Sequence, residues 1–273
     1  MIIDGRTIAK KMLARAKTRA AALDRVPRIL AIVANETPVT KSYLSIKQKR
    51  AADSGCILDE LHFDAWTTIT EQLRTAVLSA DADAIIVQLP LEKRIDSRIV
   101  CDAIPLEKDA DVLSTVARMK FETDEYDALV PPVAGALAEI LSVHSIDPTG
   151  KKAVVIGMGL LVGRSCAIWL SHKQADVTHL SFRSGNFSAL KDADIIVSGA
   201  GSPHFIKPNM LKDGVVLIDA GTSELGGTLT GDADPACVDK CSVFTPVPGG
   251  VGPLAVACLF ENAVTLAERA INK

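Results

Sequence analysis

Tyr43 and Lys47 in the stretch KSYLSIKQKR stand four residues apart. That spacing puts them on one face of a helix. A lysine beside a phenol in an apolar cleft can have its pKa lowered and move protons. The same pair on a solvated face would do nothing, and Lys49 and Arg50 look solvated. In VQLPLE (87–92) an apolar run ends in Gln88, Leu89 and Pro90. In open α/β sheets ligands gather at the carboxyl ends of strands, where a glutamine can orient them or cap a loop. IPLEKDADVLS (104–114) sets Asp109 and Asp111 around one alanine. They read as a helix cap, or as a carboxylate that anchors a ligand's nitrogens. No spacing in the chain suggests a metal site.

The stretch GKKAVVIGMGLLVGRSCAIWL (150–170) joins an apolar run to an amphipathic segment through Gly157, Gly159 and Gly163. In a strand–turn–helix unit these allow a tight turn, a backbone approach to a pyrophosphate and close helix packing. The free N–H groups of the helix start would face the phosphate. The last spacing is one residue longer than the common fingerprint. The following strand, DVTHLSFRSGN, ends without the acid that holds an NAD ribose. It offers Ser181, Arg183 and Ser184, which suit a 2′-phosphate and so favour NADP, with NAD still open. Alternatively, Arg183 is an exposed loop charge. Near the end, TPVPGGVGPLA (245–255) is a rigid Pro/Gly loop before a helix, a plausible ligand contact.

These groups need a scaffold, and the chain reads as an alternation of strands and helices. The apolar runs at 28–34, 82–89, 152–157, 176–182, 193–200 and 214–221 suit strands covered on both faces. Helices are expected over 7–23, 42–54, 70–79, 133–143, 163–174 and 254–271. The pattern predicts an α/β protein of two α/β domains. The first covers 1–145. The second, 146–251, is a Rossmann-like parallel sheet, and the helix in 252–273 packs back on the first domain. Asp147, Pro148 and Gly150 mark the hinge, and a ligand cleft is expected between the domains.

The 273 residues are 48% hydrophobic with a net charge of -3, enough for a large core and unsuited to nucleic-acid binding through bulk positive charge. The six cysteines are scattered and no signal peptide is recognisable, which reads as reduced thiols in the cytoplasm. No apolar run approaches the roughly 20 residues of a membrane span.

Taken together, the segments resemble the methylenetetrahydrofolate dehydrogenase/methenyltetrahydrofolate cyclohydrolase family. IIDGRTIA, YLSIK, VQLPL, PLEKDAD, GKKAVVIGMGLLVG, ADIIVSGAG, VLIDAG, GDAD and TPVPGGVGP follow the family's order along nearly the whole chain. The resemblance implies oxidation of 5,10-methylenetetrahydrofolate to the 5,10-methenyl form with NADP, then hydrolysis to 10-formyltetrahydrofolate. It implies a homodimer, tetrahydrofolate derivatives as partners, and neither membrane nor nucleic acid. By position it makes Lys47 the central catalytic residue, tuned by Gln88, with Asp111 on the pterin. Tyr43, Leu89, Pro90, Pro248, Gly249 and Gly250 would touch the folate. Gly157, Met158, Gly159, Val162, Gly163, Arg183, Ser184, Gly199, Ala200, Gly201 and Ser223 would line the cofactor site.

Several positions depart from the family pattern. Met158 and Gly159 stand where Arg-Ser is usual, Val112 replaces a glycine, and Ser223 replaces an asparagine. VPPVAG (130–135), with Pro131 and Pro132, stands for Pro-Cys-Thr-Pro. Two alternatives follow from these changes: a dehydrogenase with weak or no cyclohydrolase, and an inactive nucleotide-binding regulator.

Overall fold

The computed structural model describes residues 1–64 and 67–271, with the side chains of Pro38, Val39, Ser42, Tyr43 and Ser184 outside the described set. The chain divides into two compact units. One comprises 10–132 and 256–273, and the other 1–9 and 133–255.

The first unit is built on a three-stranded parallel sheet. Helix α1 (Gly5–Ala20) precedes β1 (Arg28–Val33), and α2 (Pro38–Ser54) links it to β2 (Ile57–His62). Helix α3 (Thr70–Leu78) leads to β3 (Ala84–Val87), followed by α4 (Ser97–Asp102) and α5 (Thr115–Glu122). The order β2-β1-β3 places the first strand at the centre, so the carboxyl ends of β1 and β3 lie at a topological switch point. Every residue of β3 is buried, as expected of a strand covered on both faces. Leu73, Val77, Ile32, Ile85, Val87 and Val100 form the core beside it. Each such side chain contributes roughly 1.5–3 kcal/mol by leaving water.

Helix α2 shows how local chemistry sets an end. Thr37 accepts from the Thr40 N–H, Pro38 takes the first turn, and Gly55 closes the helix at φ 76°. Its buried residues Thr40, Leu44, Lys47, Ala51 and Ser54 recur at spacings of four and three, so Lys47 occupies an inward position.

The second unit takes residues 1–9 and resumes in the chain's middle with α6 (Pro132–Val143) and β4 (Lys152–Ile156). Residues Leu160–Arg164 wind as a π-helical turn into α7 (Ser165–His172), followed by β5 (Asp176–Leu180), β6 (Ile195–Ser198) and β7 (Val215–Asp219). A small antiparallel hairpin, β8 (Ser223–Leu225) and β9 (Thr228–Thr230), precedes β10 (Cys241–Phe244). The main sheet is parallel in the order β10-β7-β6-β4-β5, so its switch point falls between β4 and β6. Val154, Ile156, Ile196, Leu217 and Phe244 are among its core residues. Residue Ile2 pairs with Phe244 at the edge.

The last helix, α8 (Val251–Ile271), corrects one expectation from the sequence. It has 21 residues, and an 18-residue window within it has mean hydropathy 1.3, long and apolar enough for a span by length and composition alone. Over half of that window is buried inside the protein, as in a core helix. The sequence reading also missed β2, in which Asp59, Glu60 and His62 break any apolar run, and the short α4 and α5.

Candidate active site

In the first unit three of the expected residues come together. Lys47 is 9% exposed and Gln88 8%. The Lys47 ammonium donates to Gln88 Oε1 at 2.9 Å. Gln88 follows β3, and its N–H donates to Ile32 O of β1, which fixes it at the switch point. Its Nε2 donates to Leu89 O at 2.8 Å, leaving Oε1 for the lysine. The Leu89–Pro90 peptide is cis. Tyr43 lies on α2 one turn before Lys47, and its side chain lies outside the described set.

Two carboxylates divide the labour that the sequence left open between them. Asp109 makes a parallel bridge with Ile85, alongside β3, and is fully buried. Its oxygens accept from the N–H groups of Leu113 at 3.0 Å and Ser114 at 2.8 Å. It therefore pins the loop ahead of α5, whose own cap is Ser114, and burial still pushes its carboxyl up. Asp111, half-buried, is left to act on Lys47. Burial pushes the Asp111 carboxyl up and the Lys47 ammonium down, and their mutual attraction opposes both shifts. Between them runs a backbone held by a residue the sequence reading missed. Asn262 of α8 donates to Ala110 O at 2.9 Å and to Val130 O at 3.0 Å. Val112 has φ 55°, the left-handed conformation that glycine adopts freely and a β-branched residue resists. The family's usual glycine here thus has a backbone reason.

In the second unit the three glycines sit at the sheet's switch point. Gly157 has φ 82°, and a Cβ there would lie 2.6 Å from Gly199 O. At Gly163 a Cβ would lie 1.8 Å from Gly157 O. Nothing approaches within 4 Å of a Cβ at Gly159. The outer glycines are demanded by the turn itself, and the middle one leaves backbone open to a ligand. Val162 packs against Gly199, so the loop 199–201 closes on the turn. These features fit a dinucleotide. Met158 and Arg183 are exposed, and a short 3₁₀ turn, Phe182–Ser184, follows β5. Phe182 packs edge-on against Phe205 at 4.9 Å between centroids, an aromatic contact the sequence did not suggest. Ser223 opens the β8–β9 hairpin. Pro248 follows a cis bond, Gly249 has φ 107°, and Gly250 donates to Pro246 O at 2.7 Å, so this loop is tightly wound.

The sheet order and the glycine turn define the class: an α/β protein with a dinucleotide-binding Rossmann unit. Residues 3–111 match the family model "Tetrahydrofolate dehydrogenase/cyclohydrolase, catalytic domain", and 131–271 match the "NAD(P)-binding domain" of the same name. The chain belongs to the tetrahydrofolate dehydrogenase/cyclohydrolase family. The bifunctional protein FolD of Lacticaseibacillus casei is 38% identical over 279 residues, covering 99% of this chain and 98% of its own. The bifunctional FolD of Campylobacter jejuni superposes with a TM-score of 0.94 at 27% identity, covering 99% of both chains. The Trypanosoma brucei N5,N10-methylenetetrahydrofolate dehydrogenase-cyclohydrolase, solved with NADP and an inhibitor, superposes at 0.94 with 30% identity. That match covers 100% of this chain and 99% of the other.

Proposed function

We propose that the chain oxidises 5,10-methylenetetrahydrofolate to 5,10-methenyltetrahydrofolate with NADP and hydrolyses the product to 10-formyltetrahydrofolate. The observation that supports it most is the buried ammonium of Lys47, held 2.9 Å from Gln88 Oε1 and attracted by Asp111. A lysine kept from solvent has its neutral form within reach, and a neutral amine can take a proton from water as the methenyl bridge is attacked. Gln88 fixes where that amine points. Asp111, held between Asp109 and Asn262, is suited to accept from ring nitrogens of a pterin through charge-assisted bonds. Tyr43, Leu89, Pro90, Pro248, Gly249 and Gly250 are assigned to shaping the folate site.

NADP, when bound, supplies the acceptor for the hydride that leaves the one-carbon bridge. The turn at Gly157, Met158, Gly159, Val162 and Gly163 would hold its pyrophosphate, with Gly199, Ala200, Gly201 and Ser223 beside it. Arg183 and Ser184 would take the 2′-phosphate. The family resemblance supports a homodimer. The six cysteines are all buried and none is in a disulfide, which agrees with a reducing cytoplasm.

The test is spectrophotometric. Methylenetetrahydrofolate is supplied with NADP or NAD, and methenyltetrahydrofolate is supplied alone. Absorbance change in both assays is expected. No oxidation with either cofactor removes the proposal, and absence of hydrolysis alone reduces it to a dehydrogenase.

A further inference from the structure

Two buried acids in the second unit have no part in the chemistry above. Asp232 is 0% exposed and Asp219 2%. Among the described residues no lysine or arginine is hydrogen-bonded to either, so their charge is met by other donors. Asp232 Oδ2 accepts from Ser198 Oγ at 2.6 Å and from the Ala200 N–H at 2.7 Å, and Oδ1 accepts from the Ser202 N–H at 2.7 Å. Asp219 Oδ1 accepts from the Gly221 N–H at 2.9 Å and Oδ2 from the Ala233 N–H at 2.8 Å. Its own N–H donates to Thr245 Oγ1 at 2.6 Å, at the start of the Pro/Gly loop.

The two acids are fitted into one another's loops. A Cβ on Gly221, two residues after Asp219, would lie 2.2 Å from Asp232 Cγ. A Cβ on Gly231, just before Asp232, would lie 2.2 Å from Asp219 Oδ2. The loops after β6, β7 and β9 are therefore tied through two carboxylates, and the start of the loop after β10 is tied to the backbone of Asp219. The β6 loop is the one that closes on the glycine turn: Gly199 meets Val162, and Gly157 can carry no side chain because Gly199 O stands 2.6 Å from where its Cβ would be.

We infer that Asp232 is a positioning residue for the dinucleotide site: it holds residues 199–202 in the shape the glycine turn requires, with Asp219 bracing it from the next loop. The inference rests on the cofactor reading above. The charge matters because a carboxylate accepts three donors at once, and an amide of the same shape would point an N–H at another N–H.

The experiment measures NADP binding directly, by titration calorimetry, alongside hydrolysis of supplied methenyltetrahydrofolate and thermal melting, in wild type, Asp232→Asn and Ser198→Ala. Wild-type NADP binding decides the cofactor reading on its own. Given that binding, Asp232→Asn is expected to weaken NADP by about tenfold or more, the loss of one or two charge-assisted bonds. It is expected to raise KM for NADP far more than it lowers kcat. The loss in NADP affinity should exceed any loss in hydrolysis at least severalfold. Ser198→Ala, which removes one bond and leaves the acid, should weaken NADP by a smaller factor in the same direction. An unchanged NADP affinity in Asp232→Asn, or a parallel fall in binding and hydrolysis, overturns the inference. Should Asp232→Asn fail to fold, Ser198→Ala decides it, and unaltered affinity there overturns it as well.

Discussion

Lys47 takes an inward position that the neighbouring turns of α2 give to Leu44 and Ala51, and that placement determines its proton affinity. Burial lowers its pKa and Asp111 raises it. Hydrolysis that needs the neutral amine should therefore rise with pH along a limb lying below the ordinary lysine value. Asp111→Asn removes the charge that favours the ammonium, so its limb should move to lower pH. Gln88→Glu adds such a charge, and its limb should move higher. A pH–rate series on supplied methenyltetrahydrofolate reads both directions, and shifts of the same sign would refute the assignment. Lys47→Ala should lower hydrolysis by about 10²–10⁴-fold, as loss of a proton-transfer group does, while NADP binding by calorimetry stays close to wild type. Val112 offers a second test at this scale. Its left-handed backbone costs roughly 1–2 kcal/mol, and its 3% exposed side chain returns a similar amount by packing. Val112→Ala keeps much of the strain and loses packing. Val112→Gly should therefore be at least as stable as Val112→Ala by thermal melting, the reverse of the usual order.

At the level of elements, much of the site was legible because strands and turns advertise themselves. The β-branched runs that became β1, β3, β4, β6 and β7 are buried on both faces, and Gln88 and Gly157 each directly follow one. The roles of Asp109 and Asp111 were not legible, since they depend on which carboxylate meets the N–H groups of Leu113 and Ser114 and pins the loop, and the cap itself falls to Ser114. Asn262 was invisible for a related reason: its partners, Ala110 and Val130, lie more than 130 residues away. Asn262→Ala should cost about 1–3 kcal/mol through two carbonyls left without a donor. Asn262→Asp, which faces them with further acceptors, should cost more in the same denaturation series. The glycine turn gives a sharper contrast. Gly163→Ala forces a methyl against Gly157 O and should abolish NADP binding or folding. Gly159→Ser meets open space at the start of the π-helical turn and should melt within about 0.5 kcal/mol of wild type.

Over the whole molecule, the buried acids shape stability as a function of pH. Burial pushes Asp219 up to about 6 from an ordinary 3.8. The folded state then holds a proton that the unfolded state releases between those values, so this group's contribution falls as pH rises from about 4 to about 6. The change is on the order of 3 kcal/mol. Asp219→Asn cannot titrate, so the difference in unfolding free energy between it and wild type should vary across that window and be flat outside it. A constant difference would mean that the acid is ionised throughout. At the same scale, Arg183→Ala should weaken NADP more than NAD, and equal effects would show that Arg183 does not reach the 2′-phosphate.

The chain begins in one unit with residues 1–9, crosses to the other at Lys10, goes back at Val133 and crosses again at Val256. A ribosome that has made residues 1–132 has completed neither body. The clamp on the loop of Asp111 is translated 151 residues after the acid it serves, as 262 less 111 shows. A nascent chain stopped before α8 would hold Lys47, Gln88 and Asp111 and lack the part that sets them, so hydrolytic competence should arrive only once α8 has been made.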